Sequence, residues 1–247
     1  MHSLPPAPMN QQLTALYARY WQGFITNEYL PLLDTPHAAA FPFLIKATQH
    51  YIHAPRKIMI CGQETQGWGG IDGTILAPEV ATVEIIQGIY DGFVNHRKKD
   101  GTILKPGYNS PYWNFNGRIM SSNPTAGFVF QNIVKVGKAY EAGCDDTIDA
   151  LSHQHFPVFL AELRILQPDL IIFLTGPNYD WRIRTVMGNF QKERLANSPL
   201  CFDRLTFDTS AFPPALRLNH PGYLQRNGKY AEMIAQVNAY IKQHLYA

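Results

Sequence analysis

The hydrophobic pattern of the chain is clearest where a run of apolar residues gives way abruptly to polar residues and glycine. Ile58 to Cys61 are apolar at consecutive positions, and Gly62, Gln63 and Glu64 follow directly. Such an unbroken apolar run is typical of a strand that is covered on both faces in a parallel sheet. Glycine allows the backbone to turn sharply at the strand end. We therefore predict a buried strand whose carboxyl end presents Gln63 and Glu64.

Apolar runs and amphipathic segments alternate along the rest of the chain. Further strands are predicted at residues 128–135, 168–176, 200–206 and 215–218, and helices at 11–29, 43–53, 78–95, 157–166, 181–187 and 229–245. Strands separated by helices predict an α/β fold, here a three-layer α/β/α sandwich around a mostly parallel sheet. The sequence has no internal repeat and no linker-like change in composition, so residues 1–247 are predicted to form one domain, with residues 1–9 as a loose tail.

A second stretch, residues 216–224, repeats the order of an apolar run followed by polar residues. Parallel strands joined by helices point their carboxyl ends to the same edge of a sheet, and ligands bind at that edge in open α/β folds. We therefore expect the strand ends near Gly62, Asn132, Gly176 and His220 to lie at one edge and to form a site there.

Composition and charge narrow the class of protein. With 46% hydrophobic and 16% charged residues, the 247-residue chain can build a sizeable core. The formal charge of +2 is too small to indicate nucleic-acid binding by itself. Contacts to a polyanion would need a local basic patch such as residues 95–99, although a solvated helix end is the favoured interpretation of that segment.

The cysteines and the terminal segment bear on localisation. The three cysteines have no CxxC spacing, which argues against a zinc knuckle or a disulfide framework and favours a reducing compartment. No basic segment followed by an apolar run occurs at the N-terminus, and no apolar stretch approaches the roughly 20 residues that span a bilayer. We expect a cytoplasmic protein without a membrane association.

Aromatic residues are concentrated between residues 108 and 119. A cluster in the core is the favoured interpretation of Tyr112, Trp113 and Phe115. These rings are also candidates to stack on a planar ligand, because every nucleobase offers a π-face.

Histidine and aspartate residues form a second polar cluster. His153 and His155 form an HxH pair without a third ligand of evident geometry, so a surface or core role is favoured and no metal is expected. The carboxylates at residues 145–149 precede a helix, and we interpret them as helix-capping groups.

Four segments together resemble the uracil-DNA glycosylase superfamily. Gly62-Gln63-Glu64 resembles the Gly-Gln-Asp that opens the first motif, and residues 220–224, His-Pro-Gly-Tyr-Leu, resemble the second motif, His-Pro-Ser-Pro-Leu. Residues 131–135, Gln-Asn-Ile-Val-Lys, are similar to the Thr-Asn-Val-Val-Lys of the iron–sulfur branch. Residues 169–176 resemble the third strand of the family, which is an apolar run ending in glycine. The resemblance extends from Ile58 to about Lys229.

The resemblance implies a four-stranded sheet and hydrolysis of the N-glycosidic bond of a damaged or deaminated base in DNA. Glu64 stands where the family has the carboxylate that positions or activates the attacking water, and His220 stands where the family has the histidine that supports the departing base. The implied base-binding residues are Gly62, Gln63, Trp68, Asn132, Tyr112 and Phe115. The implied DNA contacts are Leu224, as a wedge in the duplex, together with Arg226 and Lys229. The implied partner is single- or double-stranded DNA, and we expect a monomer.

The chain departs from the family at two motif positions and in its cysteines. Residues 65–68, Thr-Gln-Gly-Trp, replace the Pro-Tyr that closes the pocket against thymine, and Glu64 is one methylene longer than aspartate. Three scattered cysteines cannot supply a four-thiolate iron–sulfur site, so no cofactor is expected.

These departures keep a second hypothesis open, a catalytically silent relative that binds nucleic acid or a nucleotide at the same strand ends. An unrelated α/β hydrolase is disfavoured, because the sequence has no Gly-x-Ser-x-Gly elbow.

Overall fold

The computed structural model describes residues 7–65, 67–68, 70–71, 74–95, 110–141, 143–195 and 200–246. The chain divides into two compact units, each assembled from three segments. Unit 1 comprises Met1–Ala47, Glu64–Phe93 and Asn132–Gln167, and unit 2 comprises Thr48–Gln63, Val94–Gln131 and Pro168–Ala247. The expectation of a single domain stays a prediction. The basic residues 96–99 lie outside the described part of the chain.

Unit 2 is built on a mixed sheet of six strands in the order β4-β1-β5-β8-β7-β6. The strands are β1 (Arg56–Gly62), β4 (Ala126–Asn132), β5 (Leu170–Phe173), β6 (Phe190–Arg194), β7 (Phe202–Phe207) and β8 (Ala215–Leu218). β1 pairs with β5 and β5 with β8 in parallel, whereas β7 is antiparallel to both β8 and β6. The protein therefore has an α/β fold, as the sequence pattern predicts.

The sheet has six strands instead of the expected four, because β7 and β6 extend it beyond β8. β6 was not predicted: after Phe190, its residues 191–194 are all exposed, and its polar sequence lacks the apolar run or alternation that marks a strand. Such a polar edge strand protects a sheet from pairing with another chain. The two central strands fit the pattern better, since no residue of Ile58–Cys61 or Leu170–Phe173 is more than 1% exposed.

The helices of unit 2 are α3 (Gln49–His53), α5 (Pro111–Ser122), α8 (Asp180–Met187), α9 (Pro221–Arg226) and α10 (Tyr230–Leu245), with a 3₁₀ turn at Pro177–Tyr179. Of the predicted helix 43–53, only α3 is helical. α5 begins at a Ser110 cap whose side chain accepts a hydrogen bond from the Trp113 N–H. α5, α9 and α10 pack against one another.

Unit 1 is mainly helical. It contains α1 (Met9–Phe24), α2 (Leu30–Leu32), α4 (Val83–Tyr90), α6 (Asp146–His155), α7 (Phe159–Leu166) and a short hairpin of β2 (Gly70–Ile71) with β3 (Thr74–Ile75). α1 continues into a π-helical turn, Ile25–Tyr29, and a second π-helical turn, Asp91–Asn95, follows α4. The Asp145 side chain accepts a hydrogen bond of 2.9 Å from the Ile148 N–H, which confirms the predicted cap of α6.

Lys135 and Glu162 form a buried ion pair in the core of unit 1, and each of these charged groups has a further hydrogen-bond partner. Lys135 Nζ lies 2.8 Å from Glu162 Oε1 and also donates to the Phe43 carbonyl. The Tyr17 hydroxyl donates to the same carboxylate over 2.6 Å and accepts from the Ile45 N–H. Burial, together with the Glu162 charge, raises the pKa of Tyr17 well above its usual value. The lysine of the 131–135 segment therefore serves the core of unit 1.

Glu28, in the first π-helical turn, is a buried carboxyl group of a different kind. It is completely buried, and the Ser152 hydroxyl donates to its Oε1 over 2.7 Å. Its Oε2 has no hydrogen-bond partner in the described part of the chain. Burial raises the pKa of Glu28 from 4.5 to about 8, with the Ser152 hydrogen bond acting in the opposite direction. The group is therefore protonated in the folded state at neutral pH.

None of the described helices combines the length and the apolar character that crossing a membrane requires.

Protonation of Glu28 predicts a pH-dependent stability. The pKa of Glu28 is higher in the folded state than in the unfolded state. The contribution of its neutral carboxyl group to the free energy of unfolding is therefore fully present below about pH 4.5 and is lost as the pH rises through about 8. The free energy of unfolding should fall by up to ~1.4 kcal/mol per pH unit across that range. Glu28→Gln should remove this dependence and be more stable than the wild type at pH 8.

Urea denaturation at several pH values between 5 and 8 measures this effect. Glu84→Gln, which changes an exposed glutamate on α4 of the same unit, is the control and should keep the wild-type slope. Parallel stability profiles for wild type and Glu28→Gln would show that Glu28 is ionised in the folded protein.

Candidate functional site

Three parallel strands of unit 2 end at one edge of the sheet. The loops that follow β1, β5 and β8 begin at Gln63, Leu174 and Asn219. The predicted common edge is therefore confirmed for the ends near Gly62, Gly176 and His220. We call the residues of unit 2 at this edge, namely Gly62, Gln63, Thr175, Gly176, Asn219, His220 and the neighbouring Tyr112, the strand-end site.

Hydrogen bonds between the loops fix the strand-end site. Gln63 donates its side-chain Nε2 to the Thr175 carbonyl over 2.8 Å. The Gly176 N–H donates to the Leu218 carbonyl, also over 2.8 Å. Gly176 has φ +71°, a conformation that glycine adopts without strain. The loops after β1, β5 and β8 thus form one connected surface.

Asn219 and His220 follow β8 and are both partly buried. Asn219 Oδ1 accepts a hydrogen bond of 2.7 Å from the Cys201 N–H, which anchors the loop. His220 caps α9, because its Nδ1 accepts from the Gly222 N–H over 3.2 Å. A neutral imidazole accepts at one nitrogen and donates at the other, so Nε2 carries the proton.

The electrostatic environment keeps His220 uncharged. Burial, and secondarily the Arg226 guanidinium, lowers the pKa of His220 below its usual 6.5. The Tyr112 ring stacks on the imidazole, with the ring centroids 6.0 Å apart and the planes within 16°. The site therefore presents a neutral N–H donor beside an aromatic face.

Glu64 and the residues after it belong to unit 1. Glu64 is partly buried, directly after Gln63 in the chain. The Gly67 N–H donates to the Lys138 carbonyl, and a Cβ on Gly137 would lie 2.0 Å from the Thr65 carbonyl oxygen. Thr65 and Gly67 are therefore closely packed against residues 137–139.

Trp68 is a core residue of unit 1. It is 7% exposed and packs edge-to-face on Phe43 and Phe93, with centroid separations of 4.7 and 5.3 Å. The burial of Trp68 is thus explained by packing within unit 1, and its base-binding role stays a prediction. Asn132 is the last residue of β4 and is 7% exposed.

Burial corrects the predicted roles of Phe115 and Leu224. Phe115 is 1% exposed and packs on Tyr230, so its ring is not available to stack on a ligand. Leu224 has no exposed surface, because it lies on the buried face of α9, and it cannot act as a wedge in this conformation. The preceding Tyr223 is 42% exposed. A motif match gives the position of a side chain in the chain but not the face of the helix on which it lies.

The two predicted DNA-contacting cations have different surroundings. Arg226 is exposed at the end of α9. Lys229 Nζ lies 2.7 Å from Glu232 Oε2, and such an exposed ion pair adds little to the free energy of unfolding. An exposed aromatic side chain also occurs at the start of α8, where Trp181 is 47% exposed and the buried Arg182 guanidinium lies 4.3 Å from its ring centroid. Among the described residues, no group of three or more metal-binding side chains occurs, including around His153 and His155.

The sequence analysis missed a buried charge network beneath the strand-end site. Arg217 of β8 is 2% exposed; its Nη2 donates to Asp203 Oδ2, and its Nη1 lies 3.2 Å from Asp180 Oδ1 without hydrogen-bond alignment. Lys192 and Arg194 of β6 neutralise the remaining oxygens of the two carboxylates. The network joins β6, β7, β8 and the start of α8. Its arginine, Arg217, lies three residues before His220 in the chain. An arginine in an otherwise apolar strand was the available signal.

We predict that this network contributes far more to the free energy of unfolding than an exposed ion pair on the same sheet does. Arg217→Met should lower the free energy of unfolding by ~3 kcal/mol or more, because the buried carboxylates of Asp203 and Asp180 lose the positive charge between them. Arg204→Met, which breaks an exposed pair with Glu193, should cost ~1 kcal/mol or less. Denaturant midpoints for both variants test this difference, and equal losses would contradict it.

A comparison with models of known protein families finds no match, and a comparison with curated proteins finds no similar sequence.

Proposed function

We propose that this protein hydrolyses the N-glycosidic bond of a damaged or deaminated, uracil-type base in DNA, on a uracil-DNA glycosylase-like α/β/α fold. The observation that carries the proposal is His220, a neutral N–H donor stacked on Tyr112 at the carboxyl ends of parallel strands. The four short motifs that resemble the superfamily supply the second support. DNA is the proposed partner.

The chemistry requires charge stabilisation on the departing base. Cleavage passes through an oxocarbenium-like state in which negative charge develops on the base, so a fixed donor aimed at a base oxygen lowers the barrier. His220 Nε2–H suits this role, because the Gly222 N–H fixes the tautomer and the lowered pKa keeps the ring neutral. The donor is thus in place before the charge develops.

Glu64 is proposed to hold the attacking water, since it directly follows Gln63 in the chain. Gln63 Nε2 donates one hydrogen to Thr175, which leaves its second N–H and its Oε1 for a base edge. Gly62 brings the backbone close to the base. Asn132, in the position of the strand-end asparagine of the iron–sulfur branch, is proposed as a further base contact.

The DNA contacts are proposed on the helices that follow β5 and β8. Tyr223 and Trp181 are exposed aromatic side chains that can stack on bases, and Arg226 is an exposed cation on the same helix as Tyr223. Tyr223 replaces Leu224 as the proposed wedge, because it is the exposed neighbour. The extrusion of a base costs a few kcal/mol, which such a wedge would help offset.

Cleavage should depend on His220 and Glu64 much more than stability does. His220→Ala and Glu64→Gln should each slow single-turnover cleavage of uracil-containing DNA by ~10²–10³-fold, because both act on charge that develops in the transition state. Ile172→Ala, in the core of β5, should instead lower the free energy of unfolding by ~2–5 kcal/mol.

The assay uses DNA that carries uracil, hypoxanthine or a mismatch and scores the abasic sites formed. His244→Ala, which changes a solvent-exposed histidine on α10, is the matched control and should keep the wild-type rate. Unchanged cleavage by His220→Ala and Glu64→Gln would remove both residues from the mechanism.

Binding to DNA should weaken steeply with salt, because a protein of small net charge must rely on a few local cations that release counterions. Affinity for an oligonucleotide should fall roughly tenfold or more between 50 and 200 mM salt. Arg226→Ala should reduce the slope of log affinity against log salt by ~1. Lys242→Ala, an exposed lysine near the start of β4, should leave the slope unchanged. Affinity that is independent of salt would contradict phosphate contacts.

A second candidate function is binding of nucleic acid or a nucleotide without cleavage. One observation favours it: Thr65, Gly67 and Trp68, in the segment that replaces the pocket-closing Pro-Tyr, are closely packed within unit 1. This candidate predicts base-dependent binding without abasic products, so the same assay, combined with a binding measurement, distinguishes the two functions.

A further inference from the structure

Asn116 of α5 is a buried amide whose polar atoms are not hydrogen-bonded. The residue has no exposed surface, and neither Oδ1 nor Nδ2 has a hydrogen-bond partner in the described part of the chain. Asn123, the residue that caps the same helix, provides the contrast. It is 7% exposed, and its Nδ2 donates over 2.8 Å to both the Ile119 carbonyl and Asn238 Oδ1.

An unpaired amide in this position is energetically unfavourable. Buried polar side chains nearly always have hydrogen-bond partners, and a buried donor or acceptor without one destabilises the folded state. Leucine has the same branched shape and would fill the space without an unpaired polar atom. The amide of Asn116 therefore does not contribute to folding in the way that Asn123 does.

The helical periodicity of α5 shows which residues share a face with Asn116. Residues three and four positions earlier on a helix share its face, and helical side chains lean toward the N-terminus. These two neighbours are Tyr112, which stacks on His220 after β8, and Trp113, which packs 4.9 Å from the Phe130 ring of β4. Asn116 thus lies between contacts to β8 and to β4.

The sheet order completes the placement. Between β8 and β4 lie β5 and β1, the strands that end at Thr175 and Gln63. Asn116 therefore shares with Tyr112 the face of α5 that turns toward the strands between β8 and β4, one helical turn from the residue that stacks on His220.

We propose that Asn116 is a specificity residue that hydrogen-bonds the paired donor and acceptor on the edge of a base in the strand-end site. The inference rests on the proposed function, since it takes a nucleobase as the ligand. The amide Oδ1 accepts from a ring N–H and Nδ2 donates to the adjacent carbonyl, a pair that uracil and hypoxanthine both present. Pairing with the base satisfies the two atoms that folding leaves unpaired.

Tyr112 controls access to Asn116. The amide has no exposed surface, so a base reaches it only when a neighbouring side chain moves. Tyr112 is partly exposed, lies one turn before Asn116 and is held by stacking on His220. Rotation of this ring away from the imidazole opens the approach, and such side-chain motions are fast compared with catalysis.

A matched pair of substitutions tests the proposal. Asn116→Leu and Asn123→Leu remove one buried amide each from the same helix. Binding is measured to a single-stranded oligonucleotide with one 2′-fluoro-deoxyuridine, which resists hydrolysis, and to the same oligonucleotide with thymidine and with an abasic analogue at that position. Melting temperatures are measured for the free proteins.

Asn116→Leu should melt at or above the wild-type temperature and lose roughly 10–100-fold in affinity for the fluorouridine strand relative to the abasic strand. Asn123→Leu should melt about 2–10 °C lower and keep the wild-type preference, because it leaves Asn238 unpaired but does not touch the site.

Two results overturn the inference while leaving the proposed function intact. One is unchanged preference for the base-containing strand in Asn116→Leu when the wild type binds and cleaves. The other is a loss of melting temperature in Asn116→Leu as large as that in Asn123→Leu, which would show that Asn116 has a structural partner. A wild type that neither prefers the base-containing strand nor cleaves damaged DNA would overturn the proposed function, and this inference with it.

Discussion

The buried guanidinium of Arg217 is the interaction on which the architecture of unit 2 depends. It lies on β8, where the parallel part of the sheet meets the antiparallel part, and it is held between Asp203 of β7 and Asp180 at the start of α8. A charge that is 2% exposed is tolerated only when opposite charges surround it. β8 therefore has one register relative to β7 and one position relative to α8.

That constraint has a direct consequence for His220, three residues later. The imidazole is an N-cap and depends on the position of the β8 end for its hydrogen bond with the Gly222 N–H and for its contact with Tyr112. An ion network that fixes the strand also fixes the direction of the Nε2–H. The residue proposed to act on the base is thus supported by groups outside the proposed site, which is how rigid elements hold a site in place.

The sequence predicts the parts of the fold that follow from burial. β5 and residues Ile58–Cys61 of β1 are runs of consecutive apolar residues, and β8 was predicted with its observed bounds despite the arginine within it. β6 was not predicted from the sequence, because an edge strand needs no apolar face. The loop ends were predictable as a group, because parallel strands share an edge, but the exposure of Tyr223 rather than Leu224 depends on how α9 packs. The Arg217 network depends on pairing between distant segments, which no local pattern reports.

Three buried polar side chains of this chain differ in whether they have hydrogen-bond partners. Lys135 in unit 1 and Arg217 in unit 2 each have carboxylate partners, so their charges reinforce a particular packing. Asn116 has the burial of a core residue but none of the hydrogen bonds that make a buried amide stabilising. A polar side chain that adds nothing to folding is understandable where it serves recognition, because a site must keep its hydrogen-bonding groups unpaired until the ligand arrives. Asn116 shares its face of α5 with Tyr112, which stacks on His220, so its unpaired amide is available for the proposed contact with a base.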